Sequence, residues 1–428
     1  MKRVIYISII ALSLVACNQE ESKQPLDLDK EIGNSEIAVD STLFGEWKGN
    51  IEIPNSPLEI IVSLDENTGA LSVPIQNISN LQAESFSLNG NNFKMDIMFK
   101  GQKIIIEGTV HNGLLEGTFS QNGSTFPISL MQVEQNQIDK VTYEMIDIPV
   151  QDGHLKVALQ LPNDTPKALT IIVAGSGPTN KDGNSIGMTN NSYKMLANGL
   201  AESGIASIRY DKRGIGDNLQ LVKDPTVLTI DDFAKDVASI VQYAKNDDRF
   251  SEIHIIGHSE GALLASIAAQ QQQVDSIILL AGAGRTIDEV ILEQLSSQLP
   301  TSLLEESKSI FSTLKSGQRV DSFSNELQSL FAISAQPYLI SWLKYNPMIE
   351  LENANTKKYV LQGTTDLQVS IADAENLGKV ADEVIIIEEM NHFLKKASLD
   401  RAENFATYTN AELTLHPDVL PAIVNLID

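Results

Sequence analysis

Glu252-Ile253-His254-Ile255-Ile256-Gly257-His258-Ser259-Glu260-Gly261-Ala262-Leu263-Leu264-Ala265 decides how this chain is read. The short, mostly apolar run over 253–256 reads as a strand, and the small apolar residues from Ala262 onward read as a helix. Between them stands Gly257-His258-Ser259-Glu260-Gly261, a Gly-x-Ser-x-Gly spacing. A strand that turns at once into a helix strains the backbone of its middle residue and lifts that side chain clear. Glycines two residues to either side let neighbouring backbone pass where a Cβ would clash. The Ser259 Oγ then stands at a helix N-terminus, where unpaired N–H groups stabilise a developing negative charge. The spacing alone is common; the strand before it and the helix after it give it weight.

Outward from this turn, strands and helices alternate from about residue 140. A first hairpin is expected over 141–150 and 155–161, turning at Gln151-Asp152-Gly153. Further strands are expected over 169–174, 205–210, 276–281, 358–361 and 384–387, with helices over 193–203, 230–245, 262–270, 371–380 and 418–427. Continuous apolar strands between amphipathic helices indicate a mostly parallel sheet covered on both faces. Chemistry in such sheets gathers at the carboxyl ends of the strands. The alternation stops between Gly284 and about Glu352. There 287–299, 303–314, 326–331 and 338–345 have helical spacing, which predicts a helical cap over 285–352 lying above the strand ends.

Residues 41–135 differ in kind. Short strands are expected over 59–64, 70–75, 85–88, 93–99, 103–110, 114–120 and 125–131, following Gly45-Glu46-Trp47-Lys48-Gly49. Turn pairs such as Asn89-Gly90 and Asn122-Gly123 punctuate them. This predicts an antiparallel all-β domain, a barrel or a sandwich. Its Gly-x-Trp start resembles lipocalin-like barrels. Such a domain either binds a ligand or glycan of its own or packs on the catalytic unit and shapes its entrance, and the second reading is preferred.

Net charge is −25 among 428 residues, with a pI near 4.6. Such a surface repels phosphate backbones and excludes nucleic acid as a natural partner. The N-terminus has Lys2-Arg3, then a mostly apolar run over 4–15 too short to span a bilayer, then Leu14-Val15-Ala16-Cys17. Cys17 is the single cysteine. The segment resembles a bacterial lipoprotein signal. That resemblance implies a leader over 1–16, a lipid attached to Cys17, and anchoring in the cell envelope on the outer membrane, facing the periplasm or the surface. Residues 17–40 are polar and aperiodic and read as a flexible tether, leaving 136–428 as the catalytic domain.

A serine hydroxyl needs a base, and the base needs a third group to orient it. Of six histidines, His392 alone falls on a loop after the last strand; His111, His154, His254, His258 and His416 lie in the β-domain, at a hairpin, inside a strand, beside the serine, or near the chain end. The acid should follow the preceding strand, where Asp366 stands, with Asp373 as its rival. Asp366 has a second reading as the N-cap of the helix from Ile371. There is no cysteine cluster, and the one His-x-x-x-His spacing, His254 to His258, falls on a strand and turn rather than a helix, so no metal site or cofactor is expected.

With these residues in place, 140–428 resembles the α/β-hydrolase superfamily, and more closely bacterial carboxylesterases related to the serine aminopeptidases. The marks are Ala174-Gly175-Ser176-Gly177-Pro178, Tyr210-Asp211-Lys212-Arg213-Gly214-Ile215-Gly216, the Ser259 turn, Gly363-Thr364-Thr365-Asp366-Leu367-Gln368-Val369 and Asn391-His392-Phe393. The resemblance implies an α/β-hydrolase fold with nucleophilic Ser259, general base His392 and orienting Asp366. It implies an oxyanion hole from the backbone N–H of Glu260 and one donor after the 169–174 strand, Ser176 or else Gly177. Asp211 and Arg213 are expected to make a structural ion pair or turn contact, and Asp182 and Asn184 to line the pocket or hold their loop. The reaction expected is hydrolysis of short-chain carboxylic esters, with a small-molecule ester as partner. The rivals are an aminopeptidase-type exopeptidase and a non-catalytic hydrolase fold used for binding. Oligomeric state has no signature in the sequence.

Overall fold

The computed structural model describes residues 43–427 apart from 55–56, 66–67, 74–77, 100, 112, 133–142, 186–187 and 297. Cys17, the leader and the tether lie outside the described residues, as does the junction at 135–136. The described residues fall into two compact units, 43–132 and 143–427.

The first unit is one antiparallel sheet of nine strands among the described residues: β1 (Gly45–Ile51), β2 (Leu58–Leu64), β3 (Gly69–Val73), β4 (Ile78–Gln82), β5 (Ser85–Asn89), β6 (Asn92–Phe99), β7 (Gln102–His111), β8 (Leu114–Gln121) and β9 (Ser124–Gln132). Their order is β4-β3-β2-β1-β9-β8-β7-β6-β5. The two edge strands are consecutive in the chain, joined by residues 83–84. Ala83 N–H donates to Gly69 in β3 and Glu84 N–H to Asp96 in β6, so the link reaches both edges. A single sheet whose edges are joined this way must curl, and it is a half-barrel rather than a sandwich. Alternate side chains fill its inside: Ile60 and Val62 from β2, Phe93, Met95 and Ile97 from β6, Ile104 and Ile106 from β7. Trp47 is wholly buried among them, its Nε1–H satisfied by the Leu43 carbonyl at 3.1 Å. Asn122 and Gly123 both take positive φ in the two-residue β8–β9 turn, as the Asn-Gly pair predicts. β4 escapes the sequence reading because two apolar residues in Ile78-Ser79-Asn80-Leu81-Gln82 make no clear period.

The second unit runs β10 (Tyr143–Val150), β11 (Gly153–Gln160), β12 (Ala168–Val173), α1 (Ser192–Glu202), β13 (Ala206–Arg209), α2 (Ile230–Lys245), β14 (Glu252–His258), α3 (Glu260–Gln271) and β15 (Ser276–Leu280). Five helices follow: α4 (Ile287–Ser296), α5 (Thr301–Lys315), α6 (Gln328–Phe331), α7 (Gln336–Trp342) and α8 (Pro347–Asn353). It closes with β16 (Lys357–Gly363), α9 (Ile371–Leu377), β17 (Glu383–Ile387), α10 (Arg401–Ala406) and α11 (Val419–Ile427). The eight-stranded sheet has the order β10-β11-β13-β12-β14-β15-β16-β17, antiparallel through the β10–β11 hairpin and parallel from β13 onward. β12 and β15 are buried at every residue, which is why they read as nearly continuous apolar runs.

After β12 the chain crosses to one side to make β13, then returns to the other side to make β14. The crevice at the carboxyl ends of β12 and β14 is therefore the point where the winding reverses, the usual place for a ligand in an open α/β sheet.

The cap helices α4–α8 share one buried cluster with α2 and α3: Ile310, Phe311, Leu314, Leu330, Phe331 and Leu339 belong to it. Gln336, wholly buried, holds the irregular stretch before α7 by bonding both the N–H and the carbonyl of Val320 and the carbonyl of Phe331. α7 begins two residues before the expected 338 because Pro337 is tolerated in a first turn. α9 stops at the Gly378 cap rather than running to 380. Among the described residues no helix is long and apolar enough to cross a membrane.

Candidate active site

Ser259 occupies the step between β14 and α3 with φ +55° and ψ −117°, a conformation non-glycine residues rarely adopt. Its neighbours show why the turn is glycine-framed. A Cβ on Gly257 would meet the Gly261 carbonyl at 2.2 Å, and one on Gly261 the Val173 carbonyl at 2.3 Å. The turn is pinned by the Ser259 N–H on the Leu280 carbonyl at 2.9 Å. The β12 turn passes directly over it, since a Cβ on Gly175 would lie 3.1 Å from the Ser259 Cβ.

Asp366 leaves β16 and His392 leaves β17, and the two meet: His392 Nδ1 lies 2.8 Å from Asp366 Oδ2, both side chains almost wholly buried. Asp366 Oδ1 accepts the N–H groups of Gln368 and Val369, and Gln362 donates to Oδ2. Burial pushes the Asp366 carboxyl up. His392 and these backbone donors outweigh it, so its pKa falls below the ordinary carboxylate value. An ionised Asp366 accepts from Nδ1–H, which leaves Nε2 of His392 as the unprotonated ring nitrogen. Ser259 Oγ and His392 Nε2 take no hydrogen-bond partner among the described residues. Contacts of this kind often tighten only when substrate is bound.

His258 ties the serine turn to the histidine loop. Its Nε2 lies 2.7 Å from the His392 carbonyl, its Nδ1 2.7 Å from the Tyr193 hydroxyl, and its ring 4.9 Å from the His392 ring. A carbonyl only accepts, so Nε2 carries the proton and Nδ1 receives the Tyr193 O–H. The same Tyr193 oxygen accepts the Gly175 N–H at 3.1 Å. Every polar atom in this chain is satisfied with His258 neutral. Burial first, and the neighbouring His392 second, push the His258 pKa down to about 3.

Of the expected oxyanion donors, Glu260 is the first residue of α3, and Ser176 and Gly177 follow β12. No hydrogen bond among the described residues takes up the backbone N–H of Glu260, Ser176 or Gly177. Asp373 is committed elsewhere, to Arg285, the Gly284 N–H and the Ser370 cap of α9, so the rival acid lies outside the cluster. Arg213 pairs with Asp236 through two bonds of 2.7 and 2.6 Å and with Asp152, rather than with Asp211. Asp211 instead accepts the N–H groups of Lys181 and Asp217. Asn184 holds its loop through the N–H groups of Asn190 and Asn191, and Asp182 pairs with Arg209. Neither lines the cavity beside Ser259.

That cavity is roofed by the cap. Ile287 and Val290 of α4, Trp342 of α7 and Pro347 of α8 face Ser259, Leu263 and Val369. Its volume is about 30 Å³, room for only one or two waters. Among the described residues no three His, Cys, Asp or Glu side chains gather as metal ligands do.

Three residues of this neighbourhood, Tyr193, Lys212 and Tyr338, were not singled out in the sequence. Lys212 stands within Tyr210-Asp211-Lys212-Arg213, and its charge amid buried neighbours was the one available signal. Tyr338 lies 78 residues from its partner Glu260, and nothing local marks it.

Residues 186–394 match the family described as "Serine aminopeptidase, S33". Esterase EstD of Thermotoga maritima is 25% identical over 264 residues, covering 60% of this chain and 61% of that protein; the chain thus matches less than two thirds of that relative's length. Among solved structures, Est1E from Butyrivibrio proteoclasticus is 17% identical with a TM-score of 0.45, covering 66% of this chain and 98% of that one. Dienelactone hydrolase from Anabaena variabilis is 14% identical with a TM-score of 0.39, covering 66% and 94%. Strand order and the strained serine turn between β14 and α3 give residues 143–427 the arrangement of an α/β-hydrolase fold, and the serine aminopeptidase and EstD matches are similar to this part of the chain.

Proposed function

We propose that this protein is a serine hydrolase that cleaves short-chain carboxylic esters through an acyl-enzyme. Ser259 Oγ attacks the ester carbonyl as His392 Nε2 takes its proton. The tetrahedral oxyanion is met by the backbone N–H of Glu260 and of Ser176, with Gly177 the alternative second donor. His392 returns the proton to the leaving alcohol, and a water activated by the same ring releases the acid. Asp366 holds the ring in the tautomer that leaves Nε2 free and stabilises the imidazolium.

The single observation that carries this reading is the 2.8 Å contact of His392 with an ionised, buried Asp366 at the strand ends next to the strained Ser259 turn. The cavity of about 30 Å³ favours a small acyl group. EstD, named as an esterase, favours ester over amide. An exopeptidase would need a free carboxylate to hold a substrate ammonium. Among the described residues the one acidic residue at this cavity is Glu260, and its carboxylate is buried with both oxygens occupied by Lys212 and Tyr338.

Asp366→Asn should lower kcat on p-nitrophenyl acetate by roughly 10³- to 10⁴-fold with KM little changed, because the amide favours the wrong tautomer. A kcat within tenfold of the parent, in a protein with unchanged circular dichroism, would remove Asp366 from the mechanism. From the leader sequence we further propose lipid attachment at Cys17 and a place in the bacterial envelope.

A further inference from the structure

Beneath the serine turn three buried side chains meet that the ester chemistry does not use. The Glu260 carboxylate has no exposed surface, and Lys212, on the loop after β13, donates to its Oε1 at 2.8 Å. The same Lys212 Nζ donates to the Gly175 carbonyl at 3.0 Å and lies over the Phe233 ring at 4.5 Å. Tyr338, from cap helix α7, donates to Glu260 Oε2 at 2.5 Å. Four separate pieces of chain are thus joined through one carboxylate: the turn after β12, the loop after β13, the head of α3 and the cap.

The Gly175 carbonyl and the Ser176 N–H belong to one planar trans peptide, so they point in opposite directions. A cation that grips the carbonyl oxygen therefore sets the direction of the Ser176 N–H. It also polarises that peptide and makes the N–H a better donor. Lys212 can do this only if its own position is held, and the Glu260 carboxylate holds it.

We infer that Lys212, anchored on Glu260, is a positioning residue that aims the Ser176 N–H at the oxyanion, and that Tyr338 makes this setting depend on the seating of the cap. The inference rests on the proposed Ser259 chemistry and selects Ser176 over Gly177 as the second donor. Tyr338 and the cavity-lining Trp342 stand one turn apart on α7, in edge contact. A displacement of α7 would therefore disturb the Glu260 carboxylate.

The test is steady-state hydrolysis of p-nitrophenyl acetate by Lys212→Met, Glu260→Gln and Tyr338→Phe, each rate divided by the sites titrated to completion with a fluorophosphonate. Affinity for a methyl trifluoromethyl ketone, whose adduct carries the oxyanion, is measured alongside. Lys212→Met is expected to lose about 10- to 100-fold in kcat per titrated site, with KM within about threefold, and to lose ketone affinity by the same factor as kcat/KM. Glu260→Gln should fall between it and the parent, and Tyr338→Phe should lose several-fold in kcat. A merely structural role would lower the titre and melting temperature while leaving kcat per site and ketone affinity unmoved, and that result overturns the inference. Should the first two variants not fold, Tyr338→Phe decides, and parental kcat and KM there overturn it. Failure of the parent to take the fluorophosphonate would instead defeat the serine-hydrolase reading itself, so the two failures are distinguishable.

Discussion

Tyr193 and His258 illustrate how residues with no part in bond making set a site's geometry. One hydroxyl accepts from Gly175 and donates to His258, and His258 in turn holds the loop that carries His392. Tyr193→Phe removes that hydroxyl and leaves a buried N–H and a buried ring nitrogen unpaired. Each unpaired group costs about 1–3 kcal/mol. The variant should melt about 3–10 °C lower and hydrolyse esters more slowly, by calorimetry and steady-state rates. Unchanged values in both would show that the chain of bonds is dispensable. The placement of Ser259, Asp366 and His392 at one rim of the sheet was legible in the sequence because each stands just past an apolar strand. Tyr193, Lys212 and Tyr338 were not. Their partners lie 65, 48 and 78 residues away, and such contacts follow from packing rather than from local pattern.

Among the elements, long periodic ones were read well and short capped ones poorly. α2 and α3 match the expected spans within a residue or two, whereas α8 and α10 were not expected. Both unexpected helices carry their signal at the start rather than in a period. The Asn346 side chain accepts the Met348 N–H ahead of Pro347, and Asp400 caps Ala402 and Glu403. The loop between β17 and α10 holds a further consequence. Lys395 is wholly buried there, donating to the Leu413 carbonyl and lying 3.1 Å from the Met195 sulfur, and burial alone pushes its pKa down from 10.5 to about 8. Below pH 8 the folded and unfolded states both hold the proton, and the folded state bears the full penalty of a buried charge. Between about pH 8 and 10.5 the folded state releases the proton while the unfolded state keeps it, so stability from this group rises with pH. The span corresponds to about 3 kcal/mol. Urea unfolding of the parent and of Lys395→Met should therefore differ most favourably for the variant at pH 7, with the gap moving toward the parent by pH 10.5. A gap that does not vary with pH would contradict the assignment. Loss of the donor to Leu413 adds an offset that pH does not alter.

At the scale of the whole molecule, an acidic chain of net charge −25 carries two units with separate buried cores, one cluster inside the half-barrel and two clusters on the parallel sheet. The change of unit was legible because strand spacing with Asn-Gly turns gives way to strand–helix alternation. The choice between barrel and sandwich was not, since it depends on whether the first and last strands of one sheet are joined. The envelope proposal belongs to this scale. Cys17→Ser should abolish incorporation of labelled palmitate and move the protein from the membrane to the soluble fraction; retention with the membrane would contradict lipid anchoring at that residue. The central claim is that the molecule hydrolyses esters through Ser259. The most direct measurement is p-nitrophenyl acetate turnover by Ser259→Ala beside the parent, with fluorophosphonate labelling of both. The account predicts labelling of the parent alone and loss of essentially all turnover in the variant. Parental turnover by a correctly folded Ser259→Ala protein would contradict it.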